Sequence, residues 1–172
     1  LPEKEFPDTV VEMQPLFSAV AHGCAAGLHQ QVVDEVYWPR IQRKKDYLVR
    51  KLGAYSDHLA ALAHFFTVPW HTPAASFTDG MQAAMLGRTG YCLRALGRLR
   101  EALEPMQAGM EMLVKQENWI EAAKGAGNLS ELQLTFGNVA AAVVSSQKSV
   151  DYADQSEDMS HRMSKRTAHA DA

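Results

Sequence analysis

Histidine and cysteine are the side chains of this chain that could hold a metal ion. The sequence contains seven histidines and two cysteines, Cys24 and Cys92. Two ligands on one helix can share an ion when they lie three or four residues apart, because this spacing puts them on the same face. His22 and Cys24 are two residues apart, and His58 and His64 are six residues apart. We therefore expect no metal site.

A basic stretch, residues 40–51, contains six lysines and arginines. Clustered cations bind nucleic acid because they neutralise phosphates and release counterions. Against this interpretation, the whole chain has a net charge of −3, Asp46 interrupts the stretch, and Tyr47 is its aromatic residue. A solvated helix face is the favoured interpretation, and nucleic-acid contact through residues 40–51 stays as the alternative.

Sequence patterns that mark enzymes are missing from the chain. It contains no glycine loop for nucleotide phosphates, no nucleophile elbow and no paired-carboxylate signature. We therefore expect a protein that has no enzymatic activity and needs no cofactor.

Cysteine usage and hydropathy indicate the compartment. Cys24 and Cys92 lie far apart in apolar helical patterns, as is typical of buried thiols in a reducing environment. No apolar run reaches the roughly 18 residues that a membrane-spanning helix needs. We expect a cytoplasmic protein that does not contact membranes.

Most of the remaining sequence consists of helical patterns that must position any binding residues. Within residues 84–150, the segment 96–102 superposes on the segment 136–142 when the chain is shifted by forty residues. Self-similarity at such a fixed period is the signature of a helical-repeat protein. Each repeat is predicted to contain two helices joined at a glycine, Gly97 in the first and Gly137 in the second.

The chain is expected to be all-α, with about seven helices, no strand and one continuous domain. In the N-terminal part, Asp8 or Thr9 should cap the first helix, and Pro39 should kink or end the second near Trp38. A proline-rich, non-helical loop is expected to fold back onto the core. The predicted segments are residues 1–77, a less regular helical region with the loop 67–76, two repeats, 78–117 and 118–157, and a half repeat, 158–172.

Small residues flank the turns of both predicted hairpins. This pattern resembles the tetratricopeptide repeat, in which small residues lie where two antiparallel helices approach closely. The resemblance implies a right-handed α-solenoid, with helices longer than in the common repeat of about thirty-four residues. The matching positions are Gly90, Gly97 and Ala102 in one hairpin, Ser130, Gly137 and Ala142 in the next, and a weaker copy around Gly27.

The longer repeat is similar to repeats of regulatory peptide-binding proteins. The segments 21–27, 36–38 and 91–97 resemble the C-terminal repeat region of multidomain bacterial signal-transduction ATPases. Since the chain has no initiating methionine and ends inside a helical pattern, we expect it to be a fragment of a larger protein of this kind.

The resemblance also implies a binding groove along the first helices of the repeats. Arginine and lysine there would bind carboxylates, and asparagine would hydrogen-bond a peptide backbone. The alternative is that these are ordinary solvated polar residues. The candidate groove residues are Arg88, Tyr91 and Arg94 from one hairpin and Lys124, Asn128 and Glu131 from the next.

Two functions of different classes follow from these patterns. In the first, the chain is a non-catalytic interaction or sensor module that binds a peptide or protein and signals to other domains of its parent protein. In the second, it is a structural or oligomerisation segment, which forms a homodimer or stacks on neighbouring repeats through exposed solenoid ends.

Overall fold

Most of the chain is helical, as the periodicity predicts. The computed structural model describes residues 4–156 together with Ser164 and Arg166, and within them it contains eight α-helices, one π-helical segment and two short strands. The helix number exceeds the expected seven because the N-terminal half contains helices of a single turn. The chain divides into two compact units, Leu1–Thr78 and Asp79–Ala172. Apart from Ser164 and Arg166, the predicted half repeat, 158–172, lies outside the described residues.

The first unit contains short elements that follow one another closely. Its α-helices are α1 (Gln14–Ala25), α2 (His29–Val32), α3 (Tyr47–Arg50) and α4 (Tyr55–Ala63), and two strands follow, β1 (Phe66–Val68) and β2 (Thr72–Pro73). Between α2 and α3 the chain forms a π-helical segment, Val33–Ile41. Gly53, at φ +62°, lies between α3 and α4.

The first helix begins later than the sequence predicts. Helix α1 begins at Gln14, with Pro15 in its first turn, so neither Asp8 nor Thr9 is its cap. The Thr9 hydroxyl instead accepts a hydrogen bond from the Glu12 amide, at 3.2 Å. Thr9 therefore caps a separate turn that precedes α1. The prediction was wrong because the sequence signal for capping this turn is the same as that for capping a helix.

The sequence predicts that Pro39 kinks or ends the second helix near Trp38, and the helical segment does not end there. Helix α2 widens into the π-helical segment, which passes through Pro39 and ends at Ile41. In an α-helix the proline ring crowds the carbonyl four residues earlier, whereas π-helical hydrogen bonds reach one residue further back. The Gln42 amide accordingly donates to the Tyr37 carbonyl, at 2.9 Å.

The expectation that the chain has no strand is also wrong. Strands β1 and β2 pair in antiparallel fashion within the proline-rich segment, with Phe66 opposite Pro73. Proline cannot continue a helix and favours extended backbone in the residue before it, so this segment pairs with itself. Phe65, just before β1, is fully buried and lies edge-on to Tyr37, with ring centroids 5.2 Å apart.

Within residues 79–156, the second unit contains four α-helices of 17 residues each. They begin at residues 79, 99, 119 and 139, so the forty-residue repeat is two steps of twenty residues. Each helix packs against the next along the chain, and the first also contacts the third. The helices are α5 (Asp79–Ala95), α6 (Leu99–Lys115), α7 (Trp119–Thr135) and α8 (Val139–Gln155).

The three turns that connect α5, α6, α7 and α8 have the same backbone conformation. The middle residue of each turn is left-handed, at φ +74° for Gly97, +55° for Glu117 and +74° for Gly137. In each turn the amide of the third residue donates to the carbonyl five residues earlier, for example Arg98 to Leu93 at 2.9 Å. This is a common way to satisfy carbonyls at a helix end. The turn at Gly27, φ +79°, has the same bond, from Leu28 to Gly23.

Antiparallel helices approach closely where the sequence has small residues. A Cβ atom on Gly90 would overlap Met106 and lie 3.3 Å from the Ala102 carbonyl oxygen. Forty residues later, the Ser130 hydroxyl donates a hydrogen bond of 2.8 Å to the Ala142 carbonyl. The same helix contact is therefore made by a glycine in one hairpin and by a serine hydroxyl in the next.

A second close approach follows the same rule. A Cβ atom on Gly109 would lie 3.2 Å from the Ala83 carbonyl oxygen. At the equivalent position, the Ser149 hydroxyl donates to the Ala123 carbonyl at 2.7 Å. Each hairpin is thus fixed at two points, one near each end of its helices.

Candidate functional site

The six candidate groove residues lie on α5 and α7, the first helices of the two hairpins. Arg88, Tyr91 and Arg94 are three residues apart along α5, and Lys124, Asn128 and Glu131 are separated by four and three residues along α7. These spacings put each set on one side of its helix. We refer to the two sets together as the α5/α7 face.

One ion pair joins the two halves of this face. Arg94 Nη1 lies 2.6 Å from Glu131 Oε2, and the pair connects α5 to α7. The side chain of Arg94 is 24% exposed, whereas that of Glu131 is 65% exposed. The guanidinium is therefore held between the helices, and the carboxylate reaches it from the solvent side.

The aromatic residue of the face lies beside the same arginine. The Arg94 guanidinium carbon is 6.0 Å from the centre of the Tyr91 ring, which is at the outer limit of a cation–π contact. Tyr91 is itself exposed. The phenol therefore presents an aromatic group to solvent beside a guanidinium that is mostly covered.

The other three residues of the face, Arg88, Lys124 and Asn128, are not part of this ion pair. Lys124 Nζ forms a 2.6 Å ion pair with Glu121, which lies one turn earlier on the same helix. Asn128 and Arg88 are half-buried. The contacts described for the face thus bring Arg94 together with Glu131 and Tyr91, and they tie Lys124 to Glu121.

Gly87 also belongs to this face, although it is not one of the six candidate residues. Gly87 lies in the middle of α5, one turn before Tyr91, and is exposed. Apart from its chain neighbours and the nearby backbone of α5, no heavy atom of the described residues lies within 4 Å of the place where its Cβ would be. The available signal was a glycine inside a helical pattern, which costs helix stability and has a packing or functional reason where it persists.

Two cations of the basic stretch, residues 40–51, are engaged with the N-terminal arm. Arg43 donates to the Pro7 carbonyl, pairs with Asp8 at 3.2 Å, and stacks 3.7 Å from the centre of the Tyr47 ring. Arg40 donates to the Glu5 carbonyl at 3.4 Å. These contacts lower the number of cations that this stretch presents to a nucleic acid.

Both cysteines and His58 occupy interior positions, whereas His22, His64 and His71 are exposed. Cys24 and Cys92 are buried free thiols, and burial raises the pKa of the Cys24 thiol to about 11. His58 is buried, with its Nε2 atom 2.6 Å from the Tyr37 hydroxyl. In the described part of the chain, no three His, Cys, Asp or Glu side chains gather as a metal site would require.

Comparison with family models, curated proteins and solved structures gives no match to this chain. Among residues 4–156, no helix combines the length and the apolar character needed to cross a bilayer. The α5/α7 face therefore has to be interpreted from its own geometry.

Proposed function

We propose that the second unit is a tetratricopeptide-like repeat module that binds a segment of a peptide or protein on the α5/α7 face. The Arg94–Glu131 ion pair is the observation that carries this proposal, because it joins the same faces of two first helices into one surface. In the larger protein that the resemblance implies, occupancy of this face would signal to other domains. The proposed role is non-catalytic.

The chemistry of the face suits recognition of a polypeptide. An asparagine amide can both donate to and accept from a peptide backbone, and guanidinium groups bind carboxylates with two parallel hydrogen bonds. Tyr91 adds an exposed ring that provides apolar contact area with a polar tip. These groups are carried on long, mutually packed helices, so they are positioned before a partner binds.

The test is a combined substitution on the face. Arg88, Arg94 and Asn128 are replaced by alanine, and capture of proteins from a lysate is compared with the wild type. A matched control replaces three polar residues of α6, Arg100, Gln107 and Glu111. We expect the first triple variant to lose captured partners that the control retains. Equal capture by both variants, with thermal unfolding unchanged, would remove the proposal.

The exposed surface of α8 favours a second candidate function, assembly of copies. Val139, Val143 and Val144 are 55%, 42% and 56% exposed on this helix. Forty residues earlier the equivalents of Val139 and Val143 are also apolar, Leu99 and Leu103, whereas the equivalent of Val144 is the charged Glu104. The second hairpin therefore has an apolar residue at one exposed position where the first has a charge. Apolar patches of this kind mark interaction sites.

Light scattering separates the two candidates. A structural role predicts that the wild-type chain self-associates and that the V143E/V144E variant is monomeric. A role confined to the α5/α7 face predicts that the same variant still captures the wild-type partners.

A further inference from the structure

We infer that one side of α6 is a self-complementary surface, on which a second copy of this chain packs through its own α6 in the antiparallel direction. The two copies are related by a two-fold axis. This inference goes beyond the proposed function, because it uses neither the α5/α7 face nor the exposed valines of α8.

An open groove runs along this side of α6. Its volume is about 420 Å³, and its lining residues belong to α6. They form two neighbouring ridges, each with one residue in every four, along one side of the helix. The charged and amide side chains of the groove are exposed, and its two apolar side chains are half-buried. We refer to the six lining residues as the α6 stripe: Arg100, Leu103, Glu104, Gln107, Ala108 and Glu111.

The order of charges along the α6 stripe suits an antiparallel pair. If the two-fold axis passes between residues 105 and 106, Arg100 of one copy faces Glu111 of the other. The axis repeats every contact, so this ion pair forms twice. A parallel pair in register would instead place Arg100 against Arg100 and Glu111 against Glu111. The charges therefore favour the antiparallel direction.

The inner positions of the stripe are complementary in the same register. Glu104 faces Gln107 of the other copy, and Leu103 faces Ala108. Within one chain the Gln107 amide donates to Glu111 at 3.0 Å. A side-chain amide has two N–H donors, so Gln107 can keep this bond and also donate to the Glu104 carboxylate of the other copy. A large apolar residue opposite a small one lets the two helices approach closely.

The equivalent side of α8 lacks this pattern. Forty residues later, an antiparallel pair in the same register would place Lys148 against Val143 and Asp151 against Ala140, so that neither charge meets its opposite. The two helices have the same length and the same place in their hairpins. The symmetric pattern is therefore specific to α6, and charge pairs of this kind set the partner and the orientation of packed helices.

Charge reversal tests the pairing in analytical ultracentrifugation. We expect the wild-type chain, of 19.0 kDa, to approach twice this mass as its concentration rises. R100E and E111R should each weaken self-association by about tenfold or more, because each places like charges together at both ends of the pair. An equimolar mixture of R100E and E111R should regain the dimer, since the carboxylates of one variant then face the guanidinium groups of the other.

The mixture also excludes misfolding as the reason for a monomeric variant, because an unfolded chain would not pair with its counterpart. A monomeric wild type, reversal variants that associate as strongly as the wild type, or a mixture that stays monomeric would each overturn the inference.

The V143E/V144E variant separates the α6 stripe from the valines of α8. It should still form dimers, and a monomeric V143E/V144E would assign self-association to α8 and overturn the inference. The α6 control variant of the capture experiment lacks three residues of the stripe. It should be monomeric and still retain the captured partners, so the inference and the proposed function can fail separately.

Discussion

The hydroxyl of Ser130 donates a 2.8 Å hydrogen bond to the backbone carbonyl of Ala142 on the facing helix. In the preceding hairpin the equivalent residues are Gly90 and Ala102, which meet without a side chain between them. Met106 fills the adjoining space there, and Ser146 stands at its equivalent position in the second hairpin. Two hairpins with the same helix lengths thus solve the same close contact in different ways.

Removal of the Ser130 hydroxyl is expected to destabilise the second hairpin. The hydrogen bond is buried, and bonds of this kind contribute about 1 kcal/mol to folding. S130A should therefore lower the free energy of unfolding, measured by urea denaturation, by about that amount. T135A serves as the control, because the Thr135 hydroxyl is exposed and bonds only its own helix. Equal stability of S130A and the wild type would contradict the expectation.

The same substitution is expected to have opposite effects at two glycines of α5. G90A should destabilise the chain by about 1–3 kcal/mol, because the new methyl group would overlap Met106 in a packed interface. G87A should stabilise it by about 0.5–1 kcal/mol, since its methyl group enters open space. Thermal unfolding of both variants measures the difference, and effects of one sign would refute the packing argument.

The second hairpin suggests how a larger residue at position 90 can be accommodated. If Gly90 is small because Met106 is large, then G90S should be tolerated when Met106 is also replaced by serine, as at positions 130 and 146. A double-mutant cycle should therefore show that G90S/M106S costs less than the sum of the single substitutions, by about 0.5 kcal/mol or more. Additive costs would show that the two residues do not share this space.

Glu117 is expected to be a site where glycine stabilises the chain. It occupies the left-handed turn position that is glycine in the two neighbouring turns, at φ +55°. For a residue with a side chain, this left-handed conformation costs roughly 1–2 kcal/mol of folding free energy. Glycine avoids this cost but loses more conformational entropy on folding, so the net gain is smaller. E117G should raise stability by about 0.5–1 kcal/mol in chemical denaturation. The reverse substitution, G97E, should lower it, and a loss of stability in E117G would contradict this account of the turn.

Arg43 is expected to hold the N-terminal arm. Its contacts with Pro7, Asp8 and the Tyr47 ring attach the arm to the segment that follows the π-helix. R43A should therefore increase hydrogen exchange and protease cleavage within residues 4–12. R43K should behave like R43A, because lysine has no planar group to stack on the ring. R50A is the matched control, since Arg50 is exposed and pairs with Asp46 at 3.8 Å.

Cys24 is expected to make stability fall at alkaline pH. Burial raises the pKa of its thiol from the usual 9.0 to about 11, so the folded chain keeps this proton longer than the unfolded chain does. The corresponding stability is complete below pH 9 and is lost as the pH rises towards 11. C24A should show a smaller decrease across this range in denaturation experiments. Parallel curves for the two proteins would refute the linkage.

Periodicity and turn chemistry made much of the second unit predictable. The glycines at 97 and 137 mark two of the three turns between residues 79 and 156, and the spacing of small residues indicates where helices approach. Local features of the first unit were not predictable in the same way. In the sequence, Pro39 predicts a kink or an end of the helix. The π-helical segment that the structure shows there has no comparable signal in the sequence.

The candidate site was predictable in its residues and not in its contacts. Helical spacing puts Arg94 and Glu131 on the faces of their helices, but their ion pair depends on the distance between α5 and α7, which packing determines. The open space beside Gly87 could not be predicted for a related reason. A glycine within a helix pattern looks like a packing residue until the space around it is known.

The constant step of twenty residues also bears on how such a chain can lengthen. Because the described turns of the second unit share one backbone conformation, duplication of a forty-residue stretch would join its ends through a junction already used elsewhere. Genetic recombination within a turn would therefore add or delete whole hairpins while neighbouring helices keep their register. Copy number would then set how many ligand residues the surface can span, independently of the chemistry at each position.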